Sequence, residues 1–144
     1  MNFRYLALST AMLGICGCFM QNASPQARAQ DAVTELNDHS RWGRAYAALG
    51  NVDTKYQKHF MQRRSAWGQN IQIADVEIKS MQLVNDNEGA ESVVDVSWYL
   101  LQTMQLQHTV VKQDWKKDGE KFLLTSEKIV QGEETLFATS KSIE

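Results

Sequence analysis

His108 is the side chain of this sequence best suited to acid–base chemistry. It shares a strand-like alternation with Leu106 and Val110, so the pattern puts its imidazole on an apolar face. A general base needs an imidazole or carboxylate of tuned pKa in a dry pocket. The competing interpretation, which we favour, is a buried or edge histidine whose ring is simply hydrogen-bonded. Asp95 and Asp114 also lie in predicted strands, but Asp95 opposes the apolar alternation and is expected to face solvent.

A second candidate site is the run His39-Ser40-Arg41-Trp42. Arg41 could bind an anionic ligand while the Trp42 indole stacks against that ligand. The alternative, which we favour, is structural: Ser40 caps a helix and Trp42 fills the core. A core role is also expected of the other tryptophans, Trp67, Trp98 and Trp115.

The sequence gives little support for a metal site or for a catalytic nucleophile. The three histidines are scattered, and none has a His or Cys partner at ligand spacing. The sequence has no Ser-His-Asp order with a nucleophile turn and no phosphate-cradling glycine loop. We therefore predict no metal, no cofactor and no catalytic residue beyond the candidate His108. The candidate ligand-binding residues are Arg41, Trp42 and His108.

Helical periodicity dominates the chain from residue 25 to residue 67. A first helix is predicted to begin near residues 25–27, with Pro25 in its first turn, and to break at residues 37–40. A second helix is predicted over residues 41–49 and a third over residues 53–67. Their apolar faces are Ala29, Val33, Leu36 and Ser40; then Trp42, Tyr46 and Leu49; then Tyr56, Phe60, Arg64 and Trp67.

From residue 70 the period changes to two, which indicates β-strands. Strands are predicted over residues 71–84, 92–101, 104–115 and 122–131, with a polar turn at 85–89 and a hairpin at Lys117-Asp118-Gly119. The apolar alternation shifts twice within the first strand, which predicts bulges. Helices followed by one antiparallel meander predict an α+β fold, with N-terminal helices packed on a curved four-stranded sheet.

The N-terminal residues have the layout of a secretory signal peptide. Arg4 supplies a positive charge, and residues 5–15 form an apolar run too short to cross a bilayer. The run ends in Ile15-Cys16-Gly17-Cys18, which resembles the bacterial lipoprotein box. The alternative is an ordinary cleaved signal with two incidental cysteines.

The lipoprotein resemblance implies where the protein works. In that family the chain is cut before the cysteine, whose sulfur and new amino terminus are acylated, so the leader would be residues 1–17 and the lipid attachment Cys18. Two acyl chains suffice for stable anchoring. Because Phe19 is not the Asp that signals inner-membrane retention in enteric-type lipoproteins, the resemblance implies the periplasmic face of the outer membrane.

The order of three helices, long curved strands and a Lys-Asp-Gly hairpin resembles the nuclear-transport-factor-two-like superfamily. These are cone-shaped domains in which a curled sheet wraps a long helix. The chain thus resembles small lipoproteins that carry such a domain. This resemblance implies a tether over residues 18–26, a cone over 27–137 and a polar tail over 138–144. Enzymes of the superfamily act from the cone interior, where His108 would lie, and Arg41 and Trp42 would lie near the cone mouth.

The charge balance narrows the function classes. The chain has 15 basic and 17 acidic side chains, and loss of Arg4 with the leader would leave a net charge of −3. A mildly acidic surface disfavours nucleic-acid binding. We favour a non-enzymatic, lipid-anchored envelope protein that contacts the membrane through acylated Cys18. It would bind a small ligand, an envelope protein or a second copy of itself. The alternatives are an isomerase or dehydratase of the cone fold and a structural envelope-assembly accessory.

Overall fold

The computed structural model describes residues 23–143, so the leader and Cys18 lie outside the described residues. The described helices are α1 (Pro25–Arg41), α2 (Ala45–Ala48), α3 (Gln57–Arg63) and α4 (Ser140–Ile143), with 3-10 turns at Leu49–Asn51 and Glu134–Phe137. The strands are β1 (Ile71–Val84), β2 (Gly89–Leu100), β3 (Leu106–Asp118) and β4 (Lys121–Gln131). Within this range, every helix is too short or too polar to span a bilayer.

The sheet is an antiparallel meander in the order β1-β2-β3-β4. The pairing of β1 with β2 shifts after Ile73 and again after Ile78, so the predicted bulges are confirmed. Bulges bend a strand and increase its twist. The curved sheet packs one face against the helices, which confirms the α+β, cone-like fold.

Helix α1 begins at the predicted position because Ser24 caps it. The Ser24 Oγ accepts a hydrogen bond of 3.2 Å from the Ala27 N–H, and Pro25 opens the first turn. The predicted break at residues 37–40 is wrong. The Asn37 Nδ2 donates to the Val33 carbonyl at 2.8 Å and to Gln113 in β3, so a polar residue becomes an interior contact of a continuous helix.

The next two helices are shorter than predicted. Arg41 still belongs to α1, so residues 42–49 contain only α2, which continues as a 3-10 turn. Residues 53–67 contain only α3. The face predicted for the third helix is nevertheless confirmed, since Phe60 and Arg64 are buried while Tyr56 and Trp67 are half-buried.

The core consists of two apolar clusters on the concave side of the sheet. Their fully buried side chains include Val33, Leu36, Phe60, Phe122 and Leu124 in one cluster, and Ile71, Val94, Trp98, Val111 and Leu136 in the other. Burying each such side chain contributes about 1.5–3 kcal/mol. Leu136 docks the C-terminal segment onto the core, and Trp98 and Trp115 take the core positions predicted for them.

The alternation of β3 is the opposite of the predicted one. Thr109, Val111, Gln113 and Trp115 are buried, whereas His108 lies on the other face. The inward positions include two polar residues that find partners: Thr109 accepts a hydrogen bond from Trp98 Nε1 at 3.0 Å, and Gln113 joins an interior network. The alternation of polar and apolar residues therefore predicted the wrong buried face for β3.

Candidate functional site

The interior of the cone is occupied by a network of polar side chains. Asn37 and Gln113 exchange two amide hydrogen bonds of 3.0 Å each. The Ser92 hydroxyl donates to Gln113 Oε1 at 2.9 Å, and the Trp115 Nε1 donates to Ser92 Oγ at 2.9 Å. These groups satisfy one another, because buried polar atoms without partners cost free energy.

The network continues into an ion pair between Arg64 and Glu127. Arg64 donates two hydrogen bonds, of 2.7 and 2.6 Å, to the two carboxylate oxygens of Glu127, and both side chains are almost completely buried. Burial by itself would raise the pKa of the Glu127 carboxyl. The charge of Arg64, with hydrogen bonds from Arg64 and Gln113, outweighs burial, so the Glu127 pKa is lowered.

This interior is poorly suited to general-base catalysis. The Arg64 guanidinium lies 3.7 Å from the Phe60 ring centroid and 4.9 Å from that of Trp67, so aromatic rings and the ion pair fill the space. A carboxylate whose pKa is lowered by a fixed arginine is a weak base at neutral pH. Glu127 therefore lies in the interior, where a catalytic base would be expected, but its lowered pKa makes it a poor base.

His108 does not lie in the interior, so its predicted place is wrong. Its side chain is 59% exposed on the outer face of the sheet. The Nδ1 atom lies 3.2 Å from Ser97 Oγ and 3.5 Å from Asp95 Oδ1. Both contacts use the same nitrogen, so the ring does not bridge a carboxylate and a hydroxyl as a catalytic triad requires. Asp95 lies on the outer face of the sheet, as predicted, but its side chain is only 22% exposed.

A different site forms where α1 ends beside the start of β1. A cleft of about 140 Å³ is lined there by Ser40, Arg41, Trp42, Trp67, Gln72 and Ile73, among other residues, and is called the Trp42–Trp67 cleft below. It brings together Arg41 and Trp42, two of the predicted ligand-binding residues, while His108 lies elsewhere. Trp67 and Gln72 were missed by the sequence analysis.

Trp42 is 63% exposed, so the favoured core interpretation of this residue is wrong. Ser40 does not cap the second helix either, because it is buried in the last turn of α1 and Arg44 stands before α2. Gly43, with φ +68°, turns the chain away immediately after the indole. The Trp42 Nε1 donates to Asp38 Oδ1 at 3.2 Å, which fixes the exposed ring.

Trp67 is fixed by a similar contact. Its Nε1 donates to the Leu136 carbonyl at 2.7 Å, and its ring stacks on Phe137 with 6.2 Å between centroids and 6° between planes. Trp67 is also followed by a glycine of positive φ, Gly68 at +77°. The repeated Trp-Gly pair was the sequence signal that could have placed both indoles at turns.

The polar side chains of the cleft differ in how free they are to bind a ligand. Arg41 Nη1 lies 3.1 Å from Asp75 Oδ1, so an anionic ligand would have to compete with this carboxylate for the guanidinium. The Ser40 hydroxyl, by contrast, is buried and has no hydrogen-bond partner in the described part of the chain. The cleft therefore combines two fixed indoles with the buried Ser40 hydroxyl and the side-chain amide of Gln72.

Exposed apolar side chains lie near the cleft. The Leu101 N–H donates to the Asn70 carbonyl at 3.0 Å, which holds the β2–β3 connection against the residue preceding β1. The strand register sets Leu106 opposite Tyr99, and Tyr99 opposite Gln72 of the cleft. The exposed large apolar residues here are Leu101 and Met104 of the connection and Leu106, the first residue of β3. Clustered exposed apolar groups are typical of binding surfaces.

No protein-family model matches the sequence, and comparison with curated proteins gives no significant match. Two solved structures have a similar fold at low identity. A protein from Exiguobacterium sibiricum that bears the name of a Ca/calmodulin-dependent kinase II association domain is 11% identical. The match covers 78% of this chain and 95% of that one, with a TM-score of 0.57. A SEC-C motif containing protein from Rhodopseudomonas palustris is 9% identical, with 76% and 81% covered and a TM-score of 0.54. At these identities the likeness concerns the fold alone.

Proposed function

We propose that this protein is a lipid-anchored protein of the cell envelope, attached through acylated Cys18 at the periplasmic face of the outer membrane. It binds a partner protein with the end of the domain that carries the Trp42–Trp67 cleft, and it is not an enzyme. The observation that carries the binding role is the solvent exposure of Trp42 in a fixed position. Large aromatic side chains at the surface are typical anchors of protein–protein interfaces.

The position of the cleft on α1 is compatible with this function. Helix α1 has 17 residues and is therefore about 25 Å long, with Pro25 at one end and the cleft at the other. The predicted lipid attachment at Cys18 precedes Pro25 closely in the chain. The cleft thus lies at the end of α1 opposite the end that joins the predicted tether.

The isomerase or dehydratase alternative lacks this support. Its base would have to work in the cone interior, where Arg64 holds Glu127 ionised and aromatic rings fill the space. His108 lies on the solvent side of the sheet instead.

The anchor is tested by cell fractionation of cysteine variants. Cys18→Ala should move the protein from the membrane fraction to the soluble fraction, because the acylated sulfur is lost. Cys16→Ala is the matched control, since it changes a residue of the leader, and it should leave the protein in the membrane fraction. If Cys18→Ala fractionates like the wild type, or mass spectrometry finds an unmodified Cys18, the lipoprotein assignment is wrong.

The binding role is tested by site-specific cross-linking in intact cells. A photo-reactive phenylalanine replaces Trp42 in one variant and the exposed Lys121, at the opposite end of the domain, in another. The expected result is one envelope protein that cross-links through position 42 and not through position 121. Equal capture through both positions, or capture through neither, would contradict a binding surface at the cleft.

A further inference from the structure

We propose that the Trp42–Trp67 cleft receives one tyrosine side chain of the partner protein. This inference rests on the proposed function and names the residue type that the site recognises. The inference does not depend on the membrane anchor, so the tyrosine specificity and the anchoring at Cys18 can be disproved separately.

The size of the cleft matches a single ring. Its volume is about 140 Å³. An engineered cavity of about 150 Å³ in another protein binds benzene, whereas drug-sized ligands occupy roughly 300–1,000 Å³. A free ligand of ordinary size would not fit, but one aromatic side chain that projects from a larger molecule would.

Two indoles that are already fixed line this space. Hydrogen bonds to Asp38 and to Leu136 hold the two Nε1 atoms, so little side-chain entropy is lost when a ring enters. Aromatic rings pack against one another in offset or edge-to-face geometry and gain free energy beyond the area that they bury. An aromatic ring is therefore favoured over an aliphatic side chain.

The polar groups favour a ring that carries one hydroxyl. The Ser40 Oγ is buried without a partner, and a serine hydroxyl can both donate and accept. A phenol brings one hydroxyl, which the Ser40 hydroxyl or the Gln72 side-chain amide of the cleft can pair. A sugar ring brings several hydroxyls, and each would need its own partner, whereas Arg41 is already paired with Asp75 through Nη1. A phosphorylated or sulfated ring would have to compete with the Asp75 carboxylate for Arg41.

The surroundings of the cleft favour a protein as the source of the ring. Leu101, Met104 and Leu106 are about half exposed or more, at 48%, 66% and 59%. These side chains lie on the β2–β3 connection and at the first residue of β3, outside the cleft, so a ligand that ends at the ring would leave them in water. A protein segment that inserts its tyrosine could cover them.

The test uses the full chain in detergent micelles and four small probes. These are N-acetyl-tyrosine amide, the corresponding phenylalanine and leucine amides, and N-acetylglucosamine. Binding is followed through the four indole N–H signals in nitrogen–proton correlation spectra, assigned with single Trp→Phe variants. The expected result is that the tyrosine amide shifts the Trp42 and Trp67 signals and binds more tightly than the phenylalanine amide, and that the leucine amide and the sugar shift neither.

Three variants connect the shifts to the structure. Trp42→Ala should weaken binding of the tyrosine amide by about tenfold or more, as expected for a central aromatic anchor. Tyr46→Ala is the matched control, because Tyr46 is 82% exposed and does not line the cleft, and it should leave binding unchanged. Ser40→Ala removes a hydroxyl that has no partner, so the fold should persist while the preference for tyrosine over phenylalanine disappears.

Several results would overturn the assignment. A sugar that shifts the two indoles while the tyrosine amide does not would make the cleft a saccharide site. Shifts confined to Trp98 and Trp115, or equal losses in the Trp42 and Tyr46 variants, would place binding elsewhere. A tyrosine preference that persists in Ser40→Ala would remove the hydroxyl from the recognition.

Discussion

Asn37 of α1 and Gln113 of β3 pair their side-chain amides through two hydrogen bonds of 3.0 Å, across 76 residues of sequence. Gln113 also accepts from Ser92 and donates to Glu127 at 3.2 Å. One glutamine thus connects the long helix to three strands inside a buried interior. Such a network stabilises one arrangement of helix on sheet, because any slip would leave several buried groups unpaired.

Gln113→Leu should destabilise the domain strongly. The change removes both hydrogen bonds between Asn37 and Gln113 and one partner each of Ser92 and Glu127, and each buried group left unsatisfied costs about 1–3 kcal/mol. We expect the free energy of unfolding, measured with urea, to fall by about 3 kcal/mol. The control is Asn37→Leu/Gln113→Leu, in which both amides are gone, and it should recover part of the loss. A single variant as stable as the wild type would contradict the role of the network.

Glu127→Gln should be more damaging than replacement of the whole ion pair. Removing one partner leaves the buried Arg64 charge uncompensated, which costs about 3–5 kcal/mol. The matched variant Arg64→Met/Glu127→Leu replaces both charges with apolar groups of similar size, and it should be more stable than the single variant. Urea unfolding of the two variants makes the comparison. The reverse order would show that the pair is not buried as described.

The same carboxyl should contribute to acid unfolding. Its pKa is lowered in the folded protein from the ordinary value of 4.5, so below that pH the unfolded chain takes up a proton that folded Glu127 does not. The stabilisation is present above pH 4.5 and is lost as the pH falls toward the folded pKa. The free energy of unfolding of the wild type should therefore decline more steeply below pH 4.5 than that of Arg64→Met/Glu127→Leu. Parallel pH curves would contradict the lowered pKa.

Gly132→Ala should destabilise the end of β4. Gly132 has φ +97°, and an added Cβ would press on the His108 carbonyl oxygen and come within 2.8 Å of the Thr109 Cα. A strained backbone position of this kind costs about 1–3 kcal/mol before the contact is counted. Gly50→Ala is the matched control, because its φ lies outside the left-handed range and the added Cβ meets no atom within 4 Å. Thermal unfolding should show a lower Tm for the first variant and little change for the second.

Much of the fold could be predicted because its signals are local. The period-two runs, the polar turn at residues 85–89 and the two alternation shifts of β1 predicted a bulged antiparallel meander, and the structure has it. Strand alternation and turn formation depend on residues that are neighbours in the sequence, so they can be recognised without knowledge of the tertiary structure. The buried face of α3 with Phe60 and Arg64 was predictable from helical spacing for the same reason.

The placement of the candidate site residues depended on hydrogen-bond partners that are distant in the sequence. His108 was predicted to lie inside because the pattern counts polarity, yet Thr109 and Gln113 are the inward residues since Trp98 and Asn37 supply their hydrogen bonds. Trp42 was predicted to lie in the core because it is large and apolar, yet the turn at Gly43 and the carboxylate of Asp38 hold it at the surface. The sequence by itself determined the elements and their order, through local conformational preference. Only the tertiary structure decided which side chains face one another, because burial of a polar group is favourable only where a distant residue satisfies it.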